Sequence, residues 1–179
     1  MDFKDLMRKR RSCRQFTNQE IAPDDVERIL QAALISPSSM NRRSWHFIVV
    51  DEKDDLEKLS DAKQHGATLI KGAALAVVVA VNETTNDCWI EDGSIAAISM
   101  QFAAEDLGIG SCWVEMRNRR LSDGTEAEDV VRGILGIPEE MRILCVVAFG
   151  YRDGDAQPHS EDDLKWEQVH IGKFRYQAE

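Results

Sequence analysis

Paired cysteines are missing from this sequence. Cys13, Cys88, Cys112 and Cys145 show neither C-x-x-C spacing nor a histidine in a ligand pattern, so no metal site is predicted and free thiols fit a reducing compartment. Long apolar runs are missing too: the longest, Ala73 to Val81, is a strand length, far short of the roughly 20 residues that cross a bilayer. The first residues, Met1-Asp2-Phe3-Lys4-Asp5, carry early acids and no apolar h-region, so no secretory signal is read and the expected location is cytoplasmic. Positive charge is in deficit. A net charge of −10 removes the basic face that nucleic acid or an anionic membrane requires, so neither is an expected partner. There is no G-x-G-x-x-G, no P-loop, no serine nucleophile elbow and no H-E-x-x-H, which excludes a separate dinucleotide-binding domain and the commonest hydrolase sites.

What is present fits one globular domain spanning residues 1–179. A chain of 179 residues buries roughly 70% of its extended surface, and 43% hydrophobic with 30% charged residues is the balance of a folded domain. The pattern predicts a short helix over Asp2 to Arg10. A second, amphipathic helix starts at Pro23, with Asp24 and Asp25 at its positive end and Val26, Ile29, Leu30, Ala33 and Leu34 on one stripe. Pro37 ends it near Ser36 and leaves 36–41 as a loop. Strands are expected at His46 to Val50, Ala73 to Val81, Ser111 to Met116 and Ile143 to Tyr151. Further helices are expected at Asp54 to His65, Ile90 to Leu107 and Glu126 to Leu135, the second buried on more than one side. The polar segment after Tyr151 has only Trp166, Val169, Ile171 and Phe174 as anchors. It cannot form its own core and must lie on its own subunit or another.

Against the acidic background, six of the first fourteen residues are basic: Lys4, Arg8, Lys9, Arg10, Arg11 and Arg14. Such a cluster is either a solvated helix end or, with Ser12, a multidentate anion receptor. Pro37-Ser38-Ser39-Met40-Asn41 is either an ordinary turn or a set of hydroxyl and amide groups suited to a polyol or heteroaromatic edge. Trp113 by itself reads as core, Lys173 and Arg175 as a charged tail, and Cys13 as a small packing residue or a thiol activated by its arginines.

In order, Arg10-Arg11-Ser12-Cys13-Arg14-Gln15-Phe16, Pro37-Ser38-Ser39-Met40-Asn41 with Trp45, Leu107-Gly108-Ile109-Gly110-Ser111-Cys112-Trp113, and Lys173 with Arg175 resemble the nitroreductase family of FMN-dependent oxidoreductases over nearly the whole chain. The resemblance implies an α+β fold, an α/β/α sandwich with a central antiparallel-rich mixed sheet. It also implies an intertwined homodimer with FMN at the subunit interface and a C-terminal arm, about 155–179, on the partner. Carried over, Arg10, Arg11, Ser12 and Arg14 hold the FMN phosphate, ribityl chain and pyrimidine edge, with Arg14 stabilising the negative charge that reduction leaves near N1 and O2. Pro37, Ser38, Ser39, Met40 and Asn41 come from the partner subunit. The backbone of Trp113, Val114 and Glu115 faces the ring, and Lys173 and Arg175 meet the phosphate from the other side.

The implied activity is hydride transfer from NADH or NADPH to a small organic acceptor, a nitroaromatic, quinone or activated alkene, by a ping-pong route with no obligatory catalytic side chain. The alternatives of the same fold are a flavin carrier or redox-responsive protein, or a relative with dehalogenase or oxidase chemistry. The family's usual Asn-x-Gln-Pro-Trp is replaced by Asn41-Arg42-Arg43-Ser44-Trp45, which leaves Arg43 to meet a substrate, the reductant's phosphate or a surface carboxylate.

Overall fold

A computed structural model describes residues 1–174. Helix α1 (Phe3–Lys9) is nucleated by Asp2, whose carboxylate accepts the Lys4 N–H at 2.9 Å, and ends in Arg8 and Lys9, charges that suit its negative pole. Helix α2 (Pro23–Leu34) buries Ile29 and Ala33 and is closed by Ser36, whose hydroxyl donates to the Ala33 carbonyl at 2.7 Å before Pro37. Strand β1 (Trp45–Val50), helix α3 (Lys53–Ser60), strand β2 (Leu75–Asn82), helix α4 (Trp89–Asp106), strand β3 (Gly110–Glu115), helix α5 (Ala127–Leu135) and strand β4 (Met141–Gly150) follow. Helix α3 is shorter than the periodicity predicts. Ser60 donates its hydroxyl to the Glu57 carbonyl at 2.6 Å, and the chain turns so that Ala62, Ala67 and Ile70 enter the core.

The strands form one sheet in the order β1-β2-β4-β3, antiparallel at every pairing. Among the described residues, parallel character is confined to a single bridge, Ser12 to Ser111, at the β3 edge. Alternation along β2 builds two cores. Leu75, Val77, Val79 and Val81 join Ile29, Ala33, Ala96 and Met100 beneath α2 and α4, whereas Ala76, Val78 and Ala80 join Leu56, Leu59, Ile70 and Val131 beneath α3 and α5. The result is the expected three-layer α/β/α sandwich. Each fully buried Leu, Ile or Val contributes about 1.5–3 kcal/mol.

Between Val79 and Ala80 the β2–β4 register slips by one residue, so Leu144 and Cys145 both face the first core. The bulge presses Leu144 toward α4. A Cβ on Gly93 would lie 2.6 Å from the Leu144 Cδ2, so a side chain there would require Leu144 or the helix to shift. As its sequence predicts, α4 is covered on two sides, by the sheet and by α2. No helix among the described residues is long and apolar enough to cross a membrane.

Candidate functional site

Arg10 closes α1 by donating its N–H to the Leu6 carbonyl, and the chain then runs extended along the start of β3. Ser12 bridges Ser111, the Cys13 N–H donates to the Ser111 carbonyl at 2.8 Å, and the Phe16 ring seats on Gly150. These anchors present Arg10, Arg11, Ser12 and Arg14 to an open cleft of about 440 Å³ whose opposite wall is Ala156, Gln157 and His159. A second recess of about 360 Å³ continues it past Ser12, Arg14 and Ala156 to Cys13 and Asp153.

The far wall is tied to the near one. Arg11 donates to the Gln157 carbonyl at 2.5 Å, the His159 N–H donates to the Arg8 carbonyl at 3.0 Å, and Glu161 pairs with Arg8 and, at 3.6 Å, with Lys4. Among the described residues, no carboxylate lies within ion-pair distance of Arg10, Arg11 or Arg14. Asp163, beside His159, is near enough for the Arg11 charge to lower its pKa, but none of the three guanidiniums makes a direct ion pair, so positive charge gathers on one cleft of a chain whose net charge is −10.

The cysteines behave as packing groups. Burial pushes the Cys13 thiol up, despite the opposing field of Arg152. Burial also raises Cys112, partly countered by Arg14, a Ser12 hydrogen bond and Arg10, which shows how closely the arginine segment covers β3. Cys13 is therefore a small core residue and not an activated nucleophile.

Ser38, Ser39, Met40 and Asn41 form a 3₁₀ turn between α2 and β1. Met40, Asn41 and Arg43 all have positive φ, 50°, 55° and 50°, a left-handed cluster that local preference opposes at Met40 and Arg43 and tolerates at Asn41. Ser38 Oγ accepts the Arg43 N–H at 3.1 Å and Asn41 Oδ1 accepts from Arg43 Nε at 2.8 Å. The Ser39 N–H donates to the buried carboxylate of Asp92 at 2.8 Å. Met40 is exposed.

At the far end of β3, the Trp113 indole N–H donates to Glu115 Oε2 at 3.0 Å, and Lys63 Nζ donates to the Glu115 carbonyl at 2.8 Å. Burial and the nearby Arg119 lower the Lys63 pKa. Strand β3 is a sheet edge. The Ser111 and Glu115 carbonyls point outward, to Cys13 and Lys63, so alternation places the main-chain N–H and C=O of Trp113 on the same open edge. The Val114 side chain faces the core.

The sequence-predicted residues thus fall into separate groups. The serine loop is bonded to Asp92 near the start of α4, while the arginine cleft abuts Arg152, which pairs with Glu105 at the other end of that helix. These anchors lie thirteen positions apart on α4, about 20 Å along the axis. Lys173 is exposed on the tail and is not among the residues lining the cleft; Arg175 lies outside the described residues. Gln157, His159, Asp92 and Asn86 carry no local sequence signal and emerge only from the folded chain.

The profile of the Nitroreductase family matches residues 7–93 and 67–151, including both the arginine segment and the serine loop. The chain belongs to the nitroreductase family. An Archaeoglobus fulgidus relative, whose name couples NADH dehydrogenase with NAD(P)H nitroreductase, is 36% identical over 86% of this chain and 87% of its own. A solved structure of an FMN-dependent nitroreductase from Clostridium difficile superimposes with a TM-score of 0.94 at 39% identity, covering 96% of this chain and all of that one. A solved Clostridium acetobutylicum structure, described as a putative NADH oxidase, shares the fold, with a TM-score of 0.85 at 24% identity over 95% of this chain and all of that one.

Proposed function

We propose that this nitroreductase is an FMN-dependent oxidoreductase that uses NADH or NADPH to reduce a small organic acceptor. The observation that carries the reading is the cleft of Arg10, Arg11, Ser12 and Arg14, whose guanidiniums make no direct ion pair with a carboxylate among the described residues. Those groups fit the phosphate and polyol of FMN: fixed cations and a hydroxyl at the anionic end, followed by a groove that continues past Ser12 and Arg14. FMN, when bound, supplies the two-electron centre between donor and acceptor.

The protein's part is binding and electrostatics. Arg10 and Arg11 hold the phosphate, and His159 adds a ring nitrogen on the opposite wall. Arg14 places a permanent positive charge where reduction leaves negative charge, which favours the reduced state. The outward N–H groups on the β3 edge, at Trp113 and Glu115, offer main-chain donors to the ring. Trp113 and Lys63 fix Glu115 from two directions and hold that edge still. Donor and acceptor use one open site in turn, which gives ping-pong kinetics. Nitroaromatics, quinones and activated alkenes are the acceptor classes this arrangement serves.

The site is completed by a second copy of the chain. Ser38, Ser39 and Asn41 stand about 20 Å along α4 from the arginine cleft of their own chain, and a two-fold partner brings one group to the other. Apolar surface supports this assembly: Ile35 is 80% exposed, and Trp166, Val169 and Ile171 project from the tail. Residues 157–161 stay on their own chain, held by Arg8 and Arg11, so the arm expected from about residue 155 is assigned to the partner's surface only beyond Asp163, with Lys173 and Arg175.

Incubation with FMN followed by desalting tests the reading. Expected is a yellow dimer with one FMN per chain, bleached anaerobically by NADH or NADPH and recoloured by a nitroaromatic or quinone. Protein that stays colourless sinks the proposal, and yellow protein that neither nucleotide bleaches identifies a carrier instead.

A further inference from the structure

The serine loop holds a shape its own sequence does not favour. Three of the four residues from Met40 to Arg43 have positive φ without a glycine among them, and only Asn41 is of a type that enters this region readily. Within the loop, Asn41 and Arg42 donate their N–H groups to the Ser38 and Ser39 carbonyls at 3.0 Å, and these short-range bonds suit many turns. The bond that reaches outside is different. Ser39 donates its N–H to Asp92 Oδ1, and Asp92 is 2% exposed.

Among the described residues, no cation pairs with Asp92. Its other oxygen accepts from Asn86 Nδ2 at 2.7 Å, and the same amide nitrogen donates to Ser44 Oγ at 2.9 Å, while Asn86 Oδ1 accepts the Cys88 N–H at 3.1 Å. Asn86 is 1% exposed. A buried carboxylate held only by N–H donors is costly unless every bond is made, so the pair tolerates one arrangement of its neighbours. Its setting is rigid: Asp92 lies in the first turn of α4, where the helix dipole favours a carboxylate, beside Gly93, which seats the helix against Leu144.

We propose that Asp92 and Asn86 are a positioning pair that fixes the Ser38–Asn41 loop in its cofactor-binding shape and couples it to the 83–88 turn. This rests on the assignment of the loop to the flavin site. Asp92 holds the first residue of the strained turn, and Asn86 holds Ser44 at the last residue before β1, so the two bracket the segment. Arg42 adds a surface tie to the same turn, to the Thr85 carbonyl and Asp87, both at 3.2 Å. The loop's conformation is therefore a property of α4 and of the turn before it.

The hydrogen-bond pattern provides its own test, because the two side chains can exchange places. In Asp92→Asn two amide nitrogens meet and one bond is lost. In the double variant N86D/D92N every bond can be remade. The amide introduced at position 92 accepts from Ser39 through its oxygen and donates through its nitrogen to the carboxylate introduced at position 86, and the Ser44 hydroxyl turns from acceptor to donor. The full chain is read in two ways: amide exchange of Ser39 by NMR without flavin, and affinity for FMN and for riboflavin by fluorescence quenching.

For D92N we expect Ser39 exchange at least about tenfold faster and both flavins bound at least about tenfold more weakly, since the loop meets a part of the ligand the two share. N86D/D92N returns both quantities to within about twofold of the parent. Changes under about twofold in D92N overturn the proposal, as does a double variant with native circular dichroism that recovers neither quantity. A parent chain that binds no flavin removes the functional assignment, while Ser39 exchange still decides whether the pair fixes the loop.

Discussion

Cys13 occupies the space that a side chain on Gly110 would need. A Cβ at Gly110 would lie 2.8 Å from the Cys13 Cβ and 2.9 Å from both its Sγ and the Arg152 Cγ. The contact presses the arginine segment against the start of β3, next to the bridge from Ser12 to Ser111. Gly110→Ala is therefore expected to cost about 1–3 kcal/mol, because backbone or Cys13 must shift. Denaturant unfolding measures the loss, and a Gly110→Ala protein as stable as its parent removes this account of the contact.

The arginine cleft should distinguish FMN from riboflavin. Arg10→Gln removes one of the three guanidiniums that line the cleft and is expected to weaken FMN by about 1.5–3 kcal/mol while leaving riboflavin nearly unaffected. Equal losses for both ligands in quenching titrations would show that Arg10 does not meet the phosphate.

Glu128 links stability to pH. Burial acts to raise its pKa, but hydrogen bonds from Arg142 and the Ile143 N–H, with the Arg142 and Arg132 charges, outweigh that and leave it lowered. Arg142 grips the carboxylate through Nε at 2.9 Å and Nη2 at 2.8 Å. A folded-state pKa below the unfolded one gives stability that is present above the unfolded carboxylate pKa and lost as pH falls through the folded value. Glu128→Gln is expected to cost roughly 2–3 kcal/mol at pH 7, with the gap to the parent narrowing below about pH 4. Thermal melts from about pH 3 to 8 span that window, and a gap independent of pH counts against the assignment.

Thiol labelling should be slow at three positions. Cys13, Cys112 and Cys145 are buried with pKa values raised by burial, whereas Cys88 is half-buried at the end of the 83–88 turn. A disulfide reagent at about pH 8 should release no more than about one fast equivalent per chain, and Cys88→Ala should remove it. Fast release of two or more equivalents contradicts the packing role given to Cys13.

Assembly can be tested apart from folding. Ile35, at the end of α2, is 80% exposed, so Ile35→Asp should change the single chain's stability by less than about 0.5 kcal/mol. Sedimentation should nevertheless show a shift from dimer to monomer, with loss of FMN. A dimeric, yellow Ile35→Asp protein excludes this face from the interface.

Much of this architecture is legible along the chain. The near-continuous apolar run Ala73 to Val81 reads as a strand, observed at Leu75–Asn82, and apolar residues around α4 read as a helix covered on more than one side, because burial selects residue type directly. The end of α3 is not legible. Leu56, Leu59 and Ala62 look helical, and only the Ser60 hydroxyl bond to Glu57 and the demands of the second core turn the chain there. Gln157 and His159 are ordinary polar residues in a polar tail; they become cleft residues because His159 returns to bond Arg8 across about 150 positions of chain. Asp92 reads as a routine acid in a first helical turn, and nothing nearby announces its bond to Ser39.

The sequence by itself determined the element types, the alternation that gives β2 two cores, and the dense positive charge from Arg10 to Arg14, since all three are properties of neighbouring residues. Tertiary structure decided which of those charges make no direct ion pair, which polar residues face them, and where the serine loop stands. Those depend on long-range pairing: Ser12 with Ser111, His159 with Arg8, Ser39 with Asp92. Hydrophobic pattern fixes which side of an element is buried, but hydrogen bonds between distant segments fix which groups meet. Here they set the serine loop and the arginine cleft at opposite ends of one helix.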